Sequence, residues 1–253
     1  RHKKRNYQIF QHFFIFHCSF NLIFVTLHLS RNKQQIANYN LSYYFSIYYY
    51  YLIMANILLI ETSAEICSVA VTCEGKILNI QMSNEAMQHA THLPIYIETA
   101  IKLIKEQNIT LDAIAVSGGP GSYTGLRIGV STAKGLCYAL GCKLISLDTL
   151  KIIATALQQN IPANAIICPL IDARRMEVYT AMYDYALNEI SPAEAKIIDE
   201  NSFSDIDRPI YFCGSGAEKC STVIKNPNAQ FITSVKPIVN MMVNLAEDAY
   251  RSN

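Results

Sequence analysis

Five glycines fall within the thirteen residues 117–129, and this segment restricts the possible fold more than any other part of the sequence. It follows a short apolar run at 113–117 and leads into a helical pattern that stops at Gly141. A strand, a glycine loop and a helix start in this order place free backbone N–H groups beside the positive end of the helix, which suits a phosphate or another anion. The candidate anion-loop residues are Gly119, Gly121, Ser122 and Thr124.

The same loop does not complete either of the two familiar phosphate-binding signatures. No Lys-Ser or Lys-Thr pair follows its last glycine, as a P-loop requires, and Thr124 stands where a dinucleotide-binding loop has its third glycine. Spacing alone therefore leaves two interpretations open, a nucleotide-binding loop and a purely structural turn.

Two of these glycines lie four residues apart inside the predicted second helix. Gly125 and Gly129 each cost about 1 kcal/mol of helix stability relative to alanine, so some other feature must favour them. Together with Ala133 they form a face of small residues that lets another backbone approach closely. That backbone belongs either to the protein's own sheet or first helix, or to a second molecule, and the spacing leaves both interpretations open.

The first 53 residues differ in composition from the rest of the chain. They contain no Asp, Glu, Gly, Pro or Met, but 8 of the 16 Tyr and 7 of the 10 Phe. Polar residues interrupt their apolar run and no small-residue cleavage site follows, which argues against a signal peptide or a membrane span. Phe, Tyr, Asn, Ile and Lys dominate, as A/T-rich codons would specify, and the first Met is Met54. We therefore expect residues 1–53 to be translated upstream sequence rather than a domain, and we expect no membrane association.

From Met54 onward the chain is acidic, with fifteen basic against twenty acidic residues and a net charge of −5. Arg174 and Arg175 form a two-residue basic spot, but strong autonomous binding to nucleic acid is not expected from such a chain. Seven cysteines remain, without a C-x-x-C pair, which is typical of a reduced cytoplasmic protein that uses cysteine as a small apolar residue.

The order of predicted elements indicates an α/β fold built from two similar lobes. From Met54 the pattern reads β-β-β-α-β-α-β-α, and a buried strand followed by a hairpin begins again at Ala165. This repetition predicts a duplication, with mixed sheets flanked by helices. We predict a first lobe at 54–160 and a second at 161–253, with the C-terminal helix packing back on the first.

Candidate catalytic residues are few. His89 and His92 are three residues apart with no third ligand in view, which favours surface or capping histidines over a metal site. Glu61 and Asp172 each end a predicted strand. A phosphotransferase of this layout could hold Mg²⁺ or a base there, and a carboxylate that caps the adjacent turn is an equally valid interpretation.

Several segments together resemble the TsaB family, also called YeaZ. The longest is the block at 115–129, whose Gly-Pro-Gly-Ser-Tyr-Thr-Gly-Leu-Arg-Ile-Gly run is close to diagnostic. The resemblance covers essentially all of residues 54–253. The shorter matching segments are 57–63, 67–71 with His89, 133–135, 169–175 with 177–179, and 214–217.

The resemblance implies a two-lobed actin-like (ASKHA, ribonuclease H-like) fold and a noncatalytic role in making N6-threonylcarbamoyladenosine at position 37 of tRNAs that read ANN codons. Family members bind the related catalytic subunit TsaD through the first two helices, self-associate through the same surface when alone, and are joined by the TsaE ATPase. Carried over to this sequence, the partner surface comprises Leu93, Ile97, Ile101, Ile104, Gly125, Leu126, Gly129 and Ala133. The resemblance further implies no catalytic residue, metal or cofactor in this chain, with ATP and metal on the partner subunits and tRNA reached only indirectly.

A second hypothesis belongs to a different class of protein. The chain could be an ATP-dependent phosphotransferase or a peptidase-like enzyme of the same superfamily. The incomplete phosphate signatures and the lack of a recognisable metal dyad or general base favour the noncatalytic hypothesis.

Overall fold

The computed structural model describes residues 54–83, 85 and 88–252, so the predictions made for residues 1–53 lie outside the described part. The first sheet has five strands in the spatial order β3-β2-β1-β4-β5. Its central strand β1 pairs antiparallel with β2 and parallel with β4, so the sheet is mixed. The strands are β1 Ile57–Glu61, β2 Ser68–Cys73, β3 Lys76–Met82, β4 Ala113–Gly119 and β5 Lys143–Asp148.

The second sheet repeats this arrangement with the spatial order β10-β9-β6-β7-β8. Its central strand β6 pairs antiparallel with β7 and parallel with β9. The strands are β6 Ile166–Asp172, β7 Glu177–Tyr183, β8 Glu189–Ile197, β9 Ile210–Cys213 and β10 Ala229–Ile232. The predicted fold of two mixed sheets flanked by helices is therefore confirmed, although the sequence did not predict β8 or β10.

Helices cover the sheets at positions close to those predicted. They are α1 His89–Glu106, α2 Tyr123–Leu140, α3 Thr149–Thr155, α4 Ala217–Ser221, a 3₁₀ helix Val239–Met242 and α5 Val243–Ser252. The stop of α2 is the predicted one, because Gly141 caps it with a φ of 67°, a left-handed conformation that favours glycine. No helix in the described part of the chain is both long and apolar enough to cross a membrane.

Both faces of the first sheet are buried, which explains why β1 is a continuous apolar run. Leu58 and Ile60 face the core that α1 and α2 cover. Ile57 and Leu59 face the opposite core, where the 3₁₀ helix and α5 contribute residues such as Ala246. The C-terminal helix thus packs on the first sheet, and strand alternation sends neighbouring residues into two different cores.

The short helix α3 contributes to the cores of both sheets. Ile152 lies in the core beneath the first sheet. Leu150 and Ile153 lie in the core of the second, beside Ile167 and Tyr183. Buried side chains of this one short helix therefore pack in the cores of both sheets.

Candidate functional site

The carboxyl ends of β1 and β4 meet the starts of α1 and α2 at one place in the first sheet. The turn after β1 lies against the glycine loop, because the Ser122 N–H donates to the Ser63 carbonyl at 2.7 Å. The Ser117 hydroxyl accepts from the Thr62 N–H at 3.4 Å. This junction is where parallel strands commonly build ligand sites.

The glycines of the loop are required by this close contact. A Cβ on Gly121 would lie 2.9 Å from the Ser63 Cβ and closer still to the Ser63 carbonyl oxygen. Gly119 has a φ of 106°, which a side chain would strain. Ser122 caps α2, since its hydroxyl accepts from the Gly125 N–H at 3.3 Å. The loop therefore has a structural reason for its composition, and nucleotide binding by it stays a prediction.

The small-residue face of α2 packs against the turn that follows β1 in the same chain. A Cβ on Gly125 would overlap the Thr62 carbonyl oxygen and lie 3.1 Å from the His89 ring. A Cβ on Gly129 would overlap the Thr62 hydroxyl and lie 3.3 Å from its Cβ. Of the two interpretations of this face, the structure shows the intramolecular one, because Thr62 already occupies the space beside both glycines.

Most of the residues carried over as a partner surface are interior residues of this chain. Ile101 and Leu126 are half-buried, and the other six are buried: Leu93, Ile97, Ile104, Gly125, Gly129 and Ala133. The four apolar residues fill the core between the two helices and the first sheet, and Thr62 covers the two glycines, so none of the six is exposed for a partner to contact. That a partner binds α1 and α2 stays a prediction, but the exposed residues of the helices must make the contact.

A cluster of polar side chains is buried at the same junction. Glu61 and Thr62 have no exposed surface, and Ser63 and His89 are each 3 % exposed. Within the described residues, Glu61 Oε2, Thr62 Oγ1, Ser63 Oγ and both ring nitrogens of His89 have no hydrogen-bond partner. Glu61 Oε1 accepts from the Ser63 N–H at 2.5 Å. Burial raises the pKa of the Glu61 carboxyl and outweighs the hydrogen bonds from Ser63 and its neighbours that lower it.

The prediction of surface or capping histidines is wrong for His89. Its ring is buried because Gly125 has no side chain to exclude it. The N-terminal cap of α1 is Gln88, which makes no side-chain capping bond. His92 is half-buried and stacks on Tyr96 with ring centroids 5.6 Å apart.

A cavity of about 560 Å³ lies between the glycine loop and the second sheet. Residues 118–121 form one wall, Tyr123 and Arg127 continue it along α2, and Tyr179 of β7 contributes from the second sheet. The Arg127 guanidinium donates to the Tyr123 hydroxyl at 3.0 Å. Two of the predicted anion-loop residues, Gly119 and Gly121, line this cavity. Sequence reasoning missed Tyr179, although the alternation of β7 places it outward and 40 % exposed.

At the end of β6, Asp172 holds the following turn. Its Oδ1 accepts from the Arg174 N–H at 2.8 Å and from Lys219 Nζ at 2.6 Å. Partial burial acts to raise the pKa of the Asp172 carboxyl, but these bonds and the charge of Lys219 leave it below its ordinary value. Asp172 had two interpretations, a site for Mg²⁺ or a base and a carboxylate that caps the adjacent turn. The structure shows the capping carboxylate.

The buried cysteines serve as packing residues. Burial raises the pKa of Cys168 to about 12, and burial with the nearby Glu61 raises that of Cys67 to about 11, so both remain thiols at neutral pH. Within residues 54–83, 85 and 88–252, no three His, Cys, Asp or Glu side chains come together as a metal site would require.

The known proteins to which this chain is similar are named TsaD, TsaB and YeaZ. The family model described as TsaD, tRNA N6-adenosine threonylcarbamoyltransferase, matches residues 80–244. The chain is 28% identical over 163 residues to the tRNA threonylcarbamoyladenosine biosynthesis protein TsaB of Bacillus subtilis, covering 62% of this chain and 70% of that one. It is 32% identical over 155 residues to TsaB of Buchnera aphidicola, covering 58% and 69%. YeaZ from Pseudomonas aeruginosa superposes with a TM-score of 0.68 at 26% identity, covering 79% of this chain and 94% of that one.

Proposed function

The chain belongs to the tRNA N6-adenosine threonylcarbamoyltransferase (TsaD) family as one of its TsaB members, and from this membership we propose that it is a noncatalytic subunit for threonylcarbamoylation of adenosine 37 in tRNAs that read ANN codons. In this proposal it acts in the cytoplasm by binding and organising the catalytic subunit TsaD together with the TsaE ATPase. It forms a homodimer when alone, ATP and metal belong to the partner subunits, and tRNA is reached through the complex.

The observation that supports this proposal most directly is a set of exposed apolar side chains on α1 and α2. Ile95 of α1 is 53% exposed, and Tyr123 and Tyr138 of α2 are 73% and 93% exposed. Both helices cover the same face of the first sheet, and their outward-facing side chains are called the exposed layer here. Large apolar side chains that remain in water are typical of protein-binding surfaces, and tyrosine is enriched where such surfaces bind most strongly.

The groups that could have served catalysis are either enclosed in the interior or bonded to another side chain, which supports a noncatalytic role. Glu61 has no exposed surface and does not line the cavity. His89 is enclosed behind Gly125, and Asp172 is bonded to Lys219 at 2.6 Å. A general base has to reach its substrate proton at hydrogen-bond distance, and none of these three side chains lines the cavity.

The proposal is tested by placing a charge on the exposed layer. We expect Ile95→Glu and Tyr138→Glu each to weaken TsaD binding at least about tenfold, or about 1.4 kcal/mol, in isothermal titration. Modified adenosine in tRNA from a reconstitution with TsaD and TsaE should fall with the loss of binding. Ile197→Glu is the matched control, because Ile197 is 74% exposed at the end of β8 in the other sheet and should leave both measurements unchanged.

Three outcomes would contradict the proposal. Unchanged TsaD affinity in both helix variants would remove α1 and α2 as the interface. Full tRNA modification by TsaD and TsaE without this chain would remove its supporting role. ATP hydrolysis by the isolated chain that disappears in Glu61→Ala would favour the phosphotransferase hypothesis instead.

A further inference from the structure

The turn between β6 and β7 is held by one lysine from α4. Lys219 Nζ bonds Asp172 Oδ1 at 2.6 Å, the Arg175 carbonyl at 2.8 Å and the Glu177 carbonyl at 2.7 Å. The Asp172 carboxylate also accepts from the Arg174 N–H at 2.8 Å. The three donors of a lysine ammonium are thus all used on the backbone and carboxylate of this single turn.

This turn keeps two arginines in an unfavourable backbone conformation. Arg174 has a φ of 74° and Arg175 a φ of 47°, so both occupy the left-handed region. That region costs a residue with a side chain on the order of 1–2 kcal/mol, and glycine or asparagine would form such a turn with less strain. Strain of this kind persists only where the surrounding bonds determine the geometry, and it is concentrated at functional sites.

Among the residues that the structure describes, neither guanidinium group has an ion-pair partner. Both side chains are exposed, and no carboxylate in the described part of the chain forms an ion pair with either. The two nearest acids along the chain are Asp172, which is bonded to Lys219, and Glu177, which forms no ion pair within the described residues. Tyr179, which lines the cavity, lies only four residues beyond Arg175 on β7. The turn therefore presents two adjacent, unpaired positive charges on a rigid support at the cavity side of the second sheet.

We propose that Arg174 and Arg175 contact phosphodiester groups of the RNA that is bound by the assembled complex, an inference that rests on the function proposed above. Guanidinium groups bind phosphate oxygens through paired N–H donors, and a fixed backbone reduces the entropy lost on binding. Two contacts are too few to hold RNA on a chain whose residues from Met54 onward carry a net charge of −5. They suffice to orient an RNA that the partner subunit already holds, so phosphodiesters reach this turn only in the complex.

The test measures how RNA affinity of the complex depends on salt. The full chain is combined with TsaD, and binding of an unmodified, fluorescently labelled tRNA transcript is measured by anisotropy from about 50 to 200 mM salt. Arg174→Asn and Arg175→Asn remove a guanidinium while asparagine tolerates the left-handed backbone. Each phosphate contact contributes about 0.7–0.9 to the slope of log K against log salt. We expect each variant to reduce this slope by about that amount, and the double variant by about twice as much, with affinity at low salt at least about tenfold lower.

The matched control is Arg208→Asn. Arg208 is exposed and precedes β9, which runs parallel to β6 with Ile210 opposite Ile166. It therefore lies at the opposite end of the parallel strands β6 and β9 from Arg174, and its removal changes the net charge equally. We expect the RNA affinity and the salt slope of this variant to match those of the unaltered complex.

The remaining outcomes overturn the inference in distinguishable ways. Equal slopes for the arginine variants and the unaltered complex would show that the turn does not contact RNA, while the proposed function stands. Loss of TsaD affinity in the double variant would assign the turn to the protein interface. Weakened binding of ATP with unchanged RNA binding would assign it to a free nucleotide phosphate. If the unaltered chain does not bind TsaD, the proposed function fails first and this inference fails with it.

Discussion

Replacement of Gly125 by alanine tests whether α2 is pressed against the turn after β1. The new methyl group would overlap the Thr62 carbonyl oxygen, which is backbone and cannot rotate away, and would lie 3.1 Å from the His89 ring. Overpacking a core costs about 1–3 kcal/mol, and a backbone obstacle places this case at the upper end. Alanine recovers about 1 kcal/mol of helix propensity. We therefore expect Gly125→Ala to lower the free energy of unfolding by about 2 kcal/mol.

Gly135 on the same helix provides the control. A Cβ there has nothing within 4 Å, so Gly135→Ala gains the helix propensity without a clash and should stabilise the protein by about 1 kcal/mol. Urea unfolding followed by far-ultraviolet circular dichroism measures both variants, with m-values unchanged if only stability differs. Replacement of glycine by alanine is thus expected to change the free energy of unfolding in opposite directions at the two positions of α2, with a difference of about 3 kcal/mol between the variants.

A Gly125→Ala variant as stable as Gly135→Ala would show that α2 is not pressed against the turn after β1. Loss of TsaD affinity in Gly125→Ala with unchanged unfolding would go further, because it would return this glycine to an intermolecular surface. The comparison of unfolding between Gly125→Ala and Gly135→Ala depends only on the packing of this chain, so it can be made before any partner is purified.

Two further predictions concern buried polar groups. Because burial raises the folded pKa of Glu61 above its ordinary value of 4.5, the wild type loses stability as pH rises from 4.5 through that folded pKa, whereas Glu61→Gln does not. Urea unfolding should therefore show an advantage of the variant that grows with pH, and a constant difference would contradict this. Asn226 is 8% exposed and its amide donates to the carbonyls of Phe203 at 2.6 Å and Ile206 at 2.9 Å. Asn226→Ala leaves both carbonyls without this donor and should cost about 2 kcal/mol or more in thermal unfolding, and a loss below about 0.5 kcal/mol would contradict it.

The sequence predicted the central strands well because burial determines their composition. Both β1 and β6 are apolar runs covered on two faces, and the glycine stop of α2 at Gly141 needs only local information. The missed strands are the two edges of the second sheet. Most of β8 is exposed and it contains Pro192, while β10 has four residues, so neither carries an apolar pattern.

The burial of most residues in the predicted partner surface was missed for a different reason. Periodicity identifies which side of α2 is small or apolar, but not which backbone lies against it. The group that fills the space beside Gly125 and Gly129 is Thr62, more than sixty residues earlier in the chain. His89 was misplaced for the same reason, since the room for its ring is made by a missing side chain on another helix. Long-range contacts of this kind are set by the tertiary fold.

The packing of α5 on the first sheet joins strands that are synthesised early to a helix that is synthesised much later. The Ala55 N–H donates to the Glu247 carboxylate at 3.3 Å, a contact across 192 positions of sequence, and Ala246 fills the core beneath β1. During synthesis, β1 to β5 emerge from the ribosome long before the helix that covers their second face. The nascent first sheet therefore carries an uncovered apolar surface until α5 has been synthesised, and transiently exposed surface of this kind makes a folding chain prone to aggregation.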